Sequence, residues 1–205
     1  MTLVTSRALP ESRKIATVLV MGDSLSAGYG INPAQGWVSL LGESLKARSL
    51  NQPGLWKIAN ASVSGETSSG GKSRLPELLA KYKPSIVILE LGANDGLRGQ
   101  PLKILENNLQ EMITASTGAN AQVLLTGMQI PTNYGPRYTR AFKEIFPRLA
   151  EKNQLAFVPF LLEGIAGNAA LIQPDGLHPT AAAQPIILHN VLPTLLTLLN
   201  SNIND

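Results

Sequence analysis

Short apolar runs alternate with longer stretches of helical periodicity from end to end of this chain, and that alternation limits the fold more than any other feature. The runs cover residues 16–21, 56–61, 86–91, 122–128 and 156–160, each of strand length and apolar enough to be buried on both faces. Residues 37–49 and 72–82 read as helices, and Leu102, Leu105, Leu109, Met112 and Ile113 mark the core face of a third. Tyr138, Phe142, Ile145, Phe146 and Leu149 repeat at helical spacing in a fourth, where Pro147 is expected to introduce a kink. A last helix spans about residues 181–199, with interruptions expected at Pro185 and Pro193. Strands that alternate with helices form a parallel sheet, because right-handed crossovers lay helices over both of its faces. The expectation is a three-layer α/β/α sandwich with a five-stranded parallel sheet, as a single domain over residues 1–205. Residues 1–14 are expected to be a poorly ordered or peripheral segment.

At 205 residues with 44% apolar content, one sizeable core suffices. The net charge of +3 and pI near 9.3 are mild, and the Lys and Arg residues are scattered without a basic block or interleaved aromatics. That pattern argues for a solvated surface and against a nucleic-acid face. The lack of cysteine removes disulfides, thiolate catalysis and zinc ribbons together. No stretch in the first fourteen residues resembles a signal-peptide core, so the chain is expected to be cytoplasmic, or periplasmic if it is a mature form that has lost its leader. No run approaches a membrane span, and no stable membrane insertion is expected.

In an open parallel sheet, ligands bind beyond the carboxyl ends of the strands, so segments that follow strands converge in space. Gly22-Asp23-Ser24-Leu25 follows the first strand, Ser62-Val63-Ser64-Gly65-Glu66 the second, and Gly92-Ala93-Asn94-Asp95 the third. Near the far end, Asp175-Gly176-Leu177-His178-Pro179 puts an acid and a histidine three residues apart. A serine hydroxyl becomes a nucleophile when a neutral imidazole takes its proton, and a carboxylate holds that imidazole in the right tautomer. The chain has two histidines, and His189 lies in an apolar stretch with no acid beside it, which favours a structural or surface role. Taken singly, Ser24 or Asp23 is an ordinary turn or helix cap, Gly65 a turn residue and Asn94 a loop amide. Their shared position after successive strands is what sets them apart, and Asp23 is read as a local cap.

These four blocks, in order, resemble the SGNH (GDSL-type) hydrolase family over the chain from about Ile15 to the last helix. Residues 22–29, 60–68, 91–99 and Asn133-Tyr134-Gly135 are similar to its bacterial multifunctional thioesterase I/protease I/lysophospholipase L1 subgroup. The resemblance implies a flavodoxin-like sheet, Ser24 as nucleophile, His178 as general base and Asp175 as its orienter. It also implies an oxyanion hole of the Ser24 and Gly65 backbone N–H groups and the Asn94 side-chain amide, with no metal or cofactor. Glu66, where many relatives have Asp, and Ala93 are small departures. The expected activity is broad hydrolysis of esters, thioesters and lysophospholipids by a monomer. Met128, Ile130, Pro131 and Tyr134 are expected to wall an acyl site, whereas Leu78, Leu79 and Tyr82 read better as a helix core face.

Competing chemistries fit less well. Gly65 to Gly71, followed by Lys72-Ser73, approaches a phosphate-binding loop but has five intervening residues where the motif needs four. A two-metal phosphoesterase recruits several histidines, and this rim has one. A silent carbohydrate- or lipid-binding domain has no need to retain every reactive position.

Overall fold

The computed structural model describes residues 16–48 and 56–201, so the expected 1–14 segment and Ser49 lie outside the described residues. In chain order the elements are β1 (Ala16–Gly22), α1 (Ser24–Ala27), α2 (Trp37–Arg48), β2 (Trp56–Asn60), α3 (Ser68–Tyr82) and β3 (Ile86–Glu90). They continue as α4 (Ala93–Leu97), α5 (Leu102–Gly118), β4 (Gln122–Thr126), α6 (Pro136–Asn153), β5 (Ala156–Val158) and α7 (Gln184–Ser201). The strands form one parallel sheet in the order β2-β1-β3-β4-β5. Because the chain moves one way from β1 to β2 and the other way from β3 to β5, its right-handed crossovers put helices on both faces. Accordingly α2 packs with α7, while α3, α5 and α6 pack in succession. The strand order reverses between β1 and β3, which opens a crevice between their carboxyl ends.

Both central strands are buried on both sides, with Val18 to Met21 and Ile86 to Leu89 essentially inaccessible. Their register sets Val18 opposite Ile86 and Gly22 opposite Glu90, so the two strands end level. Strand ends otherwise fall short of the apolar runs. β4 stops at Thr126, where the chain turns out at Gly127 to take the Val158 carbonyl at 2.7 Å. β5 stops at Val158.

Several helix expectations need correction. α3 begins at Ser68, four residues before the apolar pattern suggests, because two polar caps extend it. Thr67 Oγ1 accepts the Gly70 N–H at 3.3 Å, and the buried Asp95 carboxylate accepts the Ser68 N–H at 2.8 Å. Gly70-Gly71-Lys72-Ser73 is therefore helix and not a phosphate loop. α7 runs through Pro193 without the expected interruption, and Pro185 sits in its first turn, where its missing N–H costs nothing, while α6 contains Pro147 within a continuous helix. An internal proline costs about 3 kcal/mol. Buried Phe142, Ile145, Phe146 and Leu149 offset that in α6 at about 1.5–3 kcal/mol each. The segment Ala181–Ser201 is long and apolar enough, by length and composition, to cross a membrane, contrary to the sequence expectation. Its apolarity has a use within the fold: Ile187, Val191, Leu195 and Leu199 are buried, and α7 packs on β4, β5 and α2.

Gly127 has no room for a side chain, since a Cβ there would collide with the Pro159 carbonyl oxygen. Gly127→Ala is expected to destabilise the fold by about 1–3 kcal/mol. Urea unfolding monitored by circular dichroism checks this, with an unchanged midpoint as the contrary result.

Candidate active site

β1 delivers the Gly22-Asp23-Ser24 turn to the crevice, and the turn is tightly specified. A Cβ on Gly22 would lie 2.5 Å from Glu90 Oε2 and 2.7 Å from Ser26 Oγ. Asp23 Oδ1 accepts the Leu25 N–H at 3.0 Å and so caps α1, which ends one turn later where Gly28 adopts a left-handed conformation at φ 75°. Ser24 is the first residue of this short helix and is 9% exposed. Its Oγ lies 2.8 Å from His178 Nε2, 154 positions away in the chain.

The loop that carries His178 is built around Asp175. Asp175 Oδ1 accepts the backbone N–H groups of Leu177 at 2.9 Å and His178 at 3.0 Å, while Oδ2 lies 2.6 Å from His178 Nδ1. The His178 and Leu177 N–H groups, then the imidazole itself, hold the Asp175 carboxyl down at about 2. An ionised carboxylate can only accept, so Nδ1 of a neutral His178 carries the proton and Nε2 presents its lone pair to Ser24. Outer contacts brace the loop. Gln173 N–H donates to the His178 carbonyl at 2.7 Å, and its side-chain amide donates to the carbonyls of Tyr29 at 2.8 Å and Pro179 at 2.9 Å. The Tyr29 ring packs 4.5 Å from the imidazole.

Asn94, in α4, donates from Nδ2 to Asp23 Oδ2 at 3.1 Å and lines the same cavity as Ser24 and His178. Gly65 stands in the loop after β2, with φ 78°. Three contacts hold that loop: the Val63 N–H donates to the Gly22 carbonyl at 3.0 Å, Arg98 Nη2 to the Gly65 carbonyl at 2.9 Å, and Arg74 joins Glu66 to the Ala61 carbonyl. Gly65 itself does not line the Ser24 cavity.

That cavity, of about 120 Å³, is walled by Met128, Ile130 and Pro131 together with Leu97, Phe160, Leu162 and Leu177. It adjoins a larger one of about 460 Å³ that shares Ile130, Pro131, Phe160, Leu162 and Leu177 and extends to Ala166 and Ile172. Tyr134 is a correction. It borders a different depression beside Pro136 and Tyr138, and its hydroxyl donates to the Leu97 carbonyl at 2.7 Å, so it does not line the Ser24 cavity. Leu79 is buried in the core, with Leu78 and Tyr82 packed against it. His189 is an exposed residue of α7 outside the cavity. Two groups escaped the sequence reading. Glu90 is a fully buried carboxyl beneath the Ser24 turn, legible in principle as a charge inside an apolar strand. Phe160 and Leu162 follow β5, where a strand-end position was the available signal.

The model of the GDSL-like lipase/acylhydrolase family matches residues 20–185. The chain is 47% identical to the esterase TesA of Pseudomonas aeruginosa over 93% of each chain. It is 39% identical to thioesterase 1/protease 1/lysophospholipase L1 of Escherichia coli K12 over 90% of this chain and 85% of that one. Among solved structures, the psychrotrophic esterase EstA from Pseudoalteromonas sp., inhibited by monoethylphosphonate, is 42% identical with a TM-score of 0.83, covering 90% of this chain and 98% of that one. The chain belongs to the GDSL-like lipase/acylhydrolase family and is a serine hydrolase that acts on ester bonds.

Proposed function

We propose that Ser24, His178 and Asp175 carry this ester hydrolysis through an acyl-enzyme, and that acyl thioesters and lysophospholipids are accepted alongside simple esters. The observation that carries the reading is the unbroken chain of contacts from Asp175 Oδ2 through the imidazole to Ser24 Oγ, at 2.6 and 2.8 Å. As Ser24 Oγ bonds to the acyl carbon, its proton passes to His178 Nε2, and the imidazolium is stabilised by the Asp175 carboxylate. The acyl oxygen, now negative, accepts hydrogen bonds from the Ser24 N–H and the Asn94 amide, which border the cavity, and the Gly65 N–H is read as a third donor from the loop after β2. Collapse breaks the bond to the alcohol or thiol, which leaves with the proton from Nε2. Water then repeats the sequence on the acyl-enzyme, giving the carboxylic acid and free Ser24. The apolar wall from Met128 to Leu177 suits an acyl chain better than a sugar. The names of the relatives, esterase, arylesterase and thioesterase/lysophospholipase, support the breadth of substrate.

Intact-mass analysis after fluorophosphonate treatment should find one adduct, on Ser24, and Ser24→Ala should neither label nor turn over. Labelling of the Ser24→Ala protein would overturn the assignment.

Asp175→Asn is expected to lower kcat by about 10⁴, because an amide N–H facing Nδ1 forces the wrong tautomer. The same variant tests the acid pKa. Since the folded value of about 2 lies below the usual carboxylate range, the stabilisation is present above the unfolded value and is lost as pH falls through about 2. In urea titrations the stability advantage of wild type over Asp175→Asn should therefore shrink as pH drops from about 4 toward 2. A constant difference would assign no such role to the ionised acid.

Filling the wall that the two cavities share should shorten the preferred chain. Leu162→Trp is expected to cut kcat/KM for long-chain esters at least about tenfold while sparing acetyl esters, read on a panel of graded chain length.

A further inference from the structure

Two acidic side chains lie buried beside the nucleophile, and neither belongs to the chain of contacts from Asp175 to Ser24. Glu90 at the end of β3 is fully buried, and its Oε2 accepts the Ser26 hydroxyl at 2.5 Å and the Asp23 N–H at 3.2 Å. Its Oε1 has no hydrogen-bond partner, and no cation pairs with it among the described residues. A carboxyl so placed is held in its neutral form, and burial followed by the Asp23 charge pushes it well above the ordinary range. Asp23, one step along the turn, is equally inaccessible but has both carboxyl oxygens satisfied: Oδ1 by the Leu25 N–H and Oδ2 by the Asn94 amide. Any charge on this pair therefore resides on Asp23.

The consequence falls on Asn94. A side-chain amide can face a neighbour with its oxygen or its nitrogen, and only one orientation leaves an N–H for a ligand. An ionised carboxylate is acceptor-only, so it commits the Asn94 nitrogen to itself and leaves the second N–H of the same NH₂ group available in the cavity that Asn94 lines with Ser24. A protonated Asp23 would instead donate to the Asn94 oxygen as readily, and the donor for the acyl oxygen would be lost. We propose that Asp23 is the positioning residue of the oxyanion hole, its buried carboxylate fixing the orientation of the Asn94 amide while the neutral Glu90 beneath it anchors the turn. This rests on the reading of Asn94 as an oxyanion donor. Asp23 then does more than cap α1.

The ionisable groups that face Asp23 are Glu90 from β3, Asp95 from α4 and His178 from the loop after β5. Burial raises the Asp23 carboxyl to about 6, with the charge on Asp95 adding to that, while the Leu25 and Asn94 hydrogen bonds and His178 oppose it. The orientation of Asn94 should therefore loosen in mild acid.

A double-mutant cycle tests the proposal. Asp23→Asn keeps a side-chain oxygen to cap α1 but cannot enforce the amide orientation, and should lower kcat about 10- to 100-fold with KM changed less than about threefold. In an Asn94→Ala background the same change should cost less than about threefold, because its target is gone. Equal losses in both backgrounds would overturn the proposal. Asp23→Ser, which retains a capping hydroxyl, provides a second route through the cycle if Asp23→Asn fails to fold. Independently of turnover, the Asn94 side-chain ¹⁵N–¹H resonances of the free enzyme should titrate in His178→Gln with a midpoint at or above about 6, since the opposing imidazole is gone, and stay flat in His178→Gln/Asp23→Asn. Titration that persists without Asp23 would overturn the proposal. Because the resonances are read without substrate, this outcome is distinct from any failure of the Ser24 labelling.

Discussion

The pairing of β1 with β3 is the constraint on which the rest of the molecule depends. With Gly22 opposite Glu90, the two central strands end at the same height, and the chain leaves one toward Ser24 and the other toward Asn94. A slip of one residue would turn every side chain of β1 to the opposite face and bring a different residue against Glu90. Gly22 is also the residue type this register demands, because any larger side chain would collide with the Glu90 carboxyl. The glycine before Asp23-Ser24 and the buried acid in the neighbouring strand are thus two halves of one packing arrangement.

Charge is rationed with some care around this register. Asp175, the most exposed of the site's acids, is made strongly acidic by backbone N–H groups. Glu90, fully buried, is pushed well above the ordinary carboxyl range by desolvation. The same functional group thus has opposite electrostatic character at the two ends of the site, set by local hydrogen bonds in one case and their scarcity in the other. Glu66 shows a third solution, a carboxylate held by Arg74 that ties the Gly65 loop to α3.

The parts legible in the sequence are those governed by short-range pattern. Val18 to Met21 and Ile86 to Leu89 are continuous apolar runs, and only a doubly covered strand accommodates them. Ser24 and Asn94 could be singled out because strand ends converge in an open sheet, and Asp175 and His178 because an acid stands three residues before one of only two histidines. What the sequence concealed was decided by partners distant in the chain. The start of α3 depends on Asp95, 27 positions away. The continuity of α6 past Pro147 depends on what Phe142 and Phe146 bury against, and an apolar pattern such as Met128 to Tyr134 does not say which of its members turns toward Ser24. Tyr134 turned to Leu97 instead. The role of Glu90 could not be read from β3 alone, because its neighbours are on β1 and α1.

The loop that bears His178 belongs to no strand of the sheet. It is held by an isolated bridge between Ile172 and Pro179, the three hydrogen bonds from Gln173, and the Tyr29 ring, most of them near the surface. Such a segment can open locally at far lower free energy than the sheet beneath it. Heating should then silence the enzyme in two separable stages, first by withdrawal of the imidazole from an otherwise intact sandwich and only later by loss of the core. The first stage would reverse on cooling, whereas the second exposes the continuous apolar runs of β1 and β3. Resistance to heat in this architecture would accordingly be gained at Gln173 and Tyr29 sooner than in the hydrophobic interior.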